Sequence, residues 1–180
     1  MSEELPEQIL ILASIDWGAA WQRHQAVASA LAAGGRQVYF VENTGFRGLR
    51  LSDLPRVLGR LRRLTRGDSG AGTPPPEGVT LLSPFVLPPT CGLFRALNAA
   101  FFVPALLARL RALGLEPGAD ILAYLPTDTT LRLVDAAAPD RVIYDCVDNF
   151  YGHPTPPADL AQSEAALLER ADIVLTTSRY

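Results

Sequence analysis

The stretch QILILASIDWGAAWQRHQAVASALAAGGRQVYFVE, residues Gln8 to Glu42, decides the fold. Gln8 to Ser14 is a short continuous apolar run, the pattern of a strand buried on both faces, as in a parallel sheet. Trp21 to Ala33 carries apolar residues at helical spacing and runs into Gly34-Gly35, a C-terminal stop. Arg36 to Glu42 returns to a β-branched and aromatic run. The unit is strand, helix, strand.

Working outward, the unit recurs. The sequence predicts a short arginine-rich helix over 54–64, a glycine- and proline-rich loop over 66–78, and a strand over 79–83. A long apolar helix follows over 93–113, with a kink expected at Pro104 and a stop at Gly114. Strands are expected over 120–125, 141–146 and 173–177. Helices are expected over 128–138, capped by Thr127 or Asp128, and over 158–170. Six buried strands alternating with helices predict an α/β fold, a doubly wound, Rossmann-like parallel sheet with right-handed crossovers.

Composition narrows the function. The 180 residues carry a net charge of −3, which argues against a nucleic-acid binder. Cys91 and Cys146 have no metal-ligand spacing, so no metal site and a reducing, cytoplasmic compartment are expected. The acidic start MSEELPEQ lacks a secretory signal's basic region, and no eighteen-residue uncharged apolar stretch exists. All sixteen basic residues are arginine. Seven of them lie within 43–70 against Asp53 and Asp68, a net charge of +5 that leaves −8 for the rest. The Arg47–Arg66 segment interleaves leucines with arginines, which suits either a helix resting on an anionic membrane or one burying its leucines on the sheet.

In doubly wound sheets ligands bind beyond the C-terminal strand ends, near the switch point. That rule nominates Asp16, Trp17, Arg23, Glu42, Asn43, Asp128 and Asn149 for substrate binding, and Asp148 and His153 for catalysis. The first loop, Ser14 to Trp21, holds only Gly18 between two tryptophans where a dinucleotide would want GxGxxG, and no P-loop exists. No cofactor is expected. Trp17 and Trp21 are either core or an apolar platform for a sugar or lipid. The first turn of the following helix offers free N–H groups to an anion, with Arg23 or His24 beside it, unless both lie on a solvated face. Asp145 is expected to bond to neighbouring backbone amides. Asp148, beyond the strand, is the first choice for a general base and His153 the alternative.

The runs ILILASIDWG and WQRHQAVASALAAGGRQVYFVENTGFR resemble the N-terminal domain of bacterial glycosyltransferases of GT-B architecture. VIYDCVDNF is similar to that family's YD-x-x-D strand end, and SEAALLERADIVLTTSRY to its E-x-x-L-x-x-x-A-D-x-V-x-x-x-S segment. The nearest subgroup is family-4-like transferases of cell-wall or surface-polysaccharide synthesis. The resemblance implies that residues 1–180 are one acceptor-side Rossmann-like domain, half of a GT-B pair, with the donor domain absent from this chain. The chain stops straight after a predicted strand, which fits that expectation. The implied partners are a nucleotide-sugar donor and a glycan or lipid-linked acceptor, with catalysis that needs no metal. The fragment alone is expected to be inactive. A Rossmann-type oxidoreductase domain and a non-enzymatic α/β ligand-binding module are the alternatives.

Overall fold

The computed structural model describes residues 7–44, 74–87, 92–152 and 156–177. The expected Arg47–Arg66 membrane segment, Cys91, His153 and residues 178–180 lie outside the described residues. The elements are β1 (Gln8–Leu12), α1 (Arg23–Ala33), β2 (Gln37–Val41), β3 (Val79–Leu82), α2 (Gly92–Ala112), β4 (Asp120–Ala123), α3 (Asp128–Ala137), β5 (Val142–Cys146), α4 (Leu160–Arg170) and β6 (Ile173–Thr176). All six strands are parallel, in the order β3-β2-β1-β4-β5-β6. This is the doubly wound, Rossmann-like α/β sheet the sequence predicts.

Alternation along the strands builds two core layers. Leu10 and Leu12 of β1 face α2, α3 and α4, packing with Val103, Leu110, Leu133 and Leu167. Ile9 and Ile11 face the other way, with Phe40, Ala28 of α1 and Trp17. Strand β1 at the sheet centre is therefore covered on both sides, which is why its sequence reads as an unbroken apolar run.

Glycine closes two helices in the same way. Gly35 sits at φ +81°, with Arg36 N–H donating to Leu31 O and Gly35 N–H to Ala32 O. Gly114, at φ +104°, repeats the pattern with Leu115 N–H to Leu110 O and Gly114 N–H to Arg111 O. The left-handed residue lets the last carbonyls find donors. Helix α3 ends on Ala138 at φ 52° instead, a conformation an L side chain adopts at a cost.

Helix α2 departs from regularity at residues Asn98–Phe102, which form a π turn. Pro104 lacks the N–H an α-helix would use, and the wider turn just before it takes up the disruption expected at that proline. Buried positions step five residues, from Asn98 to Val103, across this turn. Asn98 is fully buried and ties down the segment after β3: its Oδ1 accepts from Leu87 N (2.8 Å) and its Nδ2 donates to Leu87 O (2.6 Å).

One expectation about the strands is corrected. Ile173, Val174 and Leu175 of β6 are about two-fifths exposed, so β6 is an open edge, while β3 at the opposite edge is half-buried. An apolar run reports the capacity to be buried, and at this edge no described element covers it. Helix α2 is also long and apolar enough to cross a membrane, by length and composition alone, yet it packs on the sheet through Val103, Leu106, Leu107 and Leu110.

Candidate functional site

The strand order reverses between β1 and β4, so the loops after these strands flank the crevice where such sheets bind ligands. The loop after β1 is sewn shut by side chains. Gln25 is fully buried; its Oε1 accepts from Gln22 N–H (3.0 Å) and its Nε2 donates to Trp17 O (3.3 Å). Glu42, at the end of β2, accepts from Trp17 N–H (2.9 Å) and from the Ser83 hydroxyl. The Trp17 ring is held beneath, edge-on to Phe40 at 5.0 Å. Trp17 is thus core, 6% exposed, while its neighbour Trp21 is 61% exposed. Of the two tryptophans, Trp21 presents the open aromatic face.

Of the two alternatives for the first turn of α1, the solvated face does not hold for His24. It is buried in the first turn of α1, with Nε2 3.0 Å from Ser14 Oγ and its ring 3.9 Å from that of Tyr124. Burial pushes the imidazole down to about 4, against the pull of Asp148, so it is neutral at physiological pH. Its Nδ1 has no hydrogen-bond partner among the described residues.

The expectation for Asp145 on β5 is corrected. It is buried and faces side chains, not backbone amides: Arg23 Nε lies 2.7 Å from Oδ2, and the Tyr124 hydroxyl faces the same carboxylate. Burial raises the Asp145 pKa, with Arg23 and Tyr124 opposing. Tyr124 is in turn pushed up, by burial first and then by Asp145. Ser14, His24, Tyr124, Asp145 and Arg23 therefore form one connected cluster that joins the ends of β1, β4 and β5 to α1.

The other expected residues lie in three places. Asp16 is exposed and Asn43 half-buried on the β1–β2 side, where Asn43 N–H donates to Ile15 O (3.2 Å). Asp128 heads α3, behind the Thr127 cap, and pairs with Arg132 one turn on (2.7 Å). That is the ordinary i,i+4 arrangement of a helix surface.

Asp148 and Asn149 are exposed and lie together beyond β5, in a cleft of about 340 Å³ lined also by Cys146, Phe150, Tyr151 and Glu164. Asn149 Oδ1 accepts from Tyr151 N–H (3.2 Å), which shapes the turn Phe150–Gly152. Glu164 of α4 accepts from the hydroxyls of Tyr144 and Tyr151, each at 2.7 Å. Burial, and then Glu164, raise the Tyr144 pKa. Glu164 and its pairing with Tyr151 escaped the sequence reading. Glu164 opens the E-x-x-L stretch of α4 and was there to be found. Tyr151 lies in the run 145–153 that the strand-end rule nominates, but nothing in the sequence pairs it with a residue thirteen positions on. Among the described residues no three His, Cys, Asp or Glu side chains are placed to share a metal ion.

Chemically the cleft offers aromatic rings, a carboxylate held in place by two phenols, a second, exposed carboxylate and a primary amide. Such groups accept from and stack against a ligand rich in hydroxyls. No protein-family model matches this chain, and neither a curated protein nor a solved structure matches it.

Proposed function

We propose that this chain is the acceptor-side domain of a glycosyltransferase. It would move a sugar from a nucleotide-diphosphate donor to a hydroxyl of a glycan or lipid-linked acceptor. The observation that carries this reading is the cleft beyond β5, where Asp148, Asn149, Phe150, Tyr151 and Glu164 meet. The resemblance of residues 142–150 and 163–180 to GT-B transferases supports the same reading, with the donor bound mainly by the second domain which that architecture implies.

In this account the acceptor hydroxyl attacks the anomeric carbon of the donor sugar. The bond from that carbon to the diphosphate breaks, and the hydroxyl proton passes to the Asp148 carboxylate. Phe150 and Tyr151 seat the acceptor ring, and Asn149 and Glu164 hold its hydroxyls. Asp16, Arg23 and Asn43 belong to the rim that faces the donor half, with His153 as the alternative base. The reaction needs charge stabilisation of the departing diphosphate and no metal or cofactor. The protein works in the cytoplasm at the inner, anionic face of the membrane, which the charge of Arg47–Arg66 favours.

A Rossmann-type oxidoreductase is the second reading, and the switch point counts against it. The first loop holds Gly18 alone, beside the buried Trp17, where a dinucleotide's pyrophosphate needs close approach of a glycine-rich backbone. The test is sugar transfer by the complete gene product. Asp148→Asn should lower kcat about a hundredfold or more with folding intact. Near-normal turnover removes Asp148 from the mechanism, and reduction of a nicotinamide cofactor would establish the second reading.

A further inference from the structure

Helix α2 has an outer face without a partner among the described residues. Leu93 and Phe101 are about two-thirds exposed, Ala100 and Ala105 continue the stripe, and Pro104 and Ala108 form its margin in a groove shared with α3. A surface helix normally turns charged and polar residues to this side. Here the π turn at Asn98–Phe102 matters. It inserts one extra residue, about 100° of rotation, between the two halves. Asn98 of the turn is buried, as are Val103, Leu106, Leu107 and Leu110 of the second half, whereas Gly92–Leu97 has no fully buried residue.

The charge pattern says what covers the stripe. Within Gly92–Ala112 the ionisable side chains are Arg95, Arg109 and Arg111, with no acid, in a chain of net charge −3. Arg109 and Arg111 are exposed and two residues apart, so they flank the stripe on opposite sides. Three nearby aspartates already face an arginine. Asp128 pairs with Arg132, Asp135 with Arg170, and Asp159 with Arg95. Arg111 leans on α3, its Nη2 donating to Ala136 O (3.3 Å), while its side chain, like that of Arg109, stays exposed.

We infer that the outer face of α2 is a membrane-docking surface, laid into the headgroup region of a bilayer that contains anionic phospholipid. Leu93 and Phe101 enter the acyl boundary, and Arg109 and Arg111 extend their alkyl stems to lipid phosphates. The helix lies in the interface and does not span it, because its other face is the core of the sheet. This rests on the membrane location proposed above and is independent of sugar transfer. It places the contact on a different segment from Arg47–Arg66.

The experiment is co-sedimentation of the protein with phosphatidylcholine vesicles, with and without phosphatidylglycerol. The chain should bind the mixed vesicles. Phe101→Asp and Ala105→Asp, each at an exposed position, should weaken binding about tenfold or more, with unchanged circular dichroism melting. Arg109→Ala and Arg111→Ala should each weaken it about fivefold on mixed vesicles only. Binding that survives Phe101→Asp and Ala105→Asp but is lost when Arg60, Arg62 and Arg63 become alanine would overturn this face and leave the membrane location standing. No binding to either vesicle would overturn both. A lipid-free dimer that Phe101→Asp returns to monomer would overturn the inference in favour of an interface between copies.

Discussion

The imidazole of His24 and the phenol ring of Tyr124 lie 3.9 Å apart between centroids, their planes tilted by 37°. The contact locks the first turn of α1 onto the end of β4, across the switch point of the sheet. It also keeps His24 dry. The unfolded chain takes up the histidine proton near pH 6.5, whereas the folded chain holds it off until about 4. The stability His24 contributes is therefore full above pH 6.5 and lost as pH falls from 6.5 towards 4, up to about 3 kcal/mol. The raised carboxyls of Asp120 and Asp145 act in the opposite sense, so the comparison must isolate His24. Urea midpoints measured between pH 7 and 4 should fall more steeply for the parent than for His24→Gln. Equal slopes would show that His24 titrates normally in the fold.

Arg23 and Asp145 form a pair with one buried partner and one half-exposed partner. Removing the cation leaves a buried carboxylate short of its main counter-charge. Arg23→Ala should cost roughly 1–3 kcal/mol at pH 7, below the full value for a wholly buried pair because Arg23 reaches solvent. Asp145→Asn should cost less, since it removes the charge that needed pairing. An Arg23→Ala chain with the parent's urea midpoint would show that water alone satisfies Asp145.

The two tryptophans should separate cleanly. Trp17→Ala opens a cavity beside Phe40 and should cost about 3–5 kcal/mol. Trp21→Ala, at the surface, should stay within about 0.5 kcal/mol. Acrylamide should quench Trp21 emission first. Comparable losses for both variants, by thermal or urea unfolding, would contradict the placement of Trp17 in the core.

Ala138→Gly should raise stability by about 0.5–1 kcal/mol. The alanine sits at φ 52°, where only glycine is free of Cβ crowding. Calorimetry would show a higher melting temperature, and a lower one would mean that the loop relaxes without strain.

The fold was legible because its signals are local. β1 and β2 are unbroken apolar runs, and Gly35 and Gly114 mark helix ends. What stayed hidden depends on partners distant in sequence. Helix α1 is so rich in alanine that its apolar residues do not single out one face, so the burial of His24 and Gln25 followed from Tyr124 and Trp17, not from periodicity. The π turn was masked because Asn98 looks like a polar interruption of an apolar helix until Leu87 is seen to need its amide. β6 reads as buried because Ile173, Val174 and Leu175 are apolar, but position at a sheet edge is not written in a strand. Asp148 and Asn149 were found by the strand-end rule. Glu164 was not, because that rule inspects loops and this carboxylate arrives from a helix.

The most direct test of the proposed function is an amide chemical-shift titration of the labelled chain with neutral oligosaccharides, and separately with a nicotinamide dinucleotide. The account predicts saturable shifts with an oligosaccharide at residues 146–151 and at Glu164, abolished by Tyr151→Ala, and none with the dinucleotide. Shifts with the dinucleotide at residues 14–24, and no response of the cleft to any oligosaccharide, would contradict it.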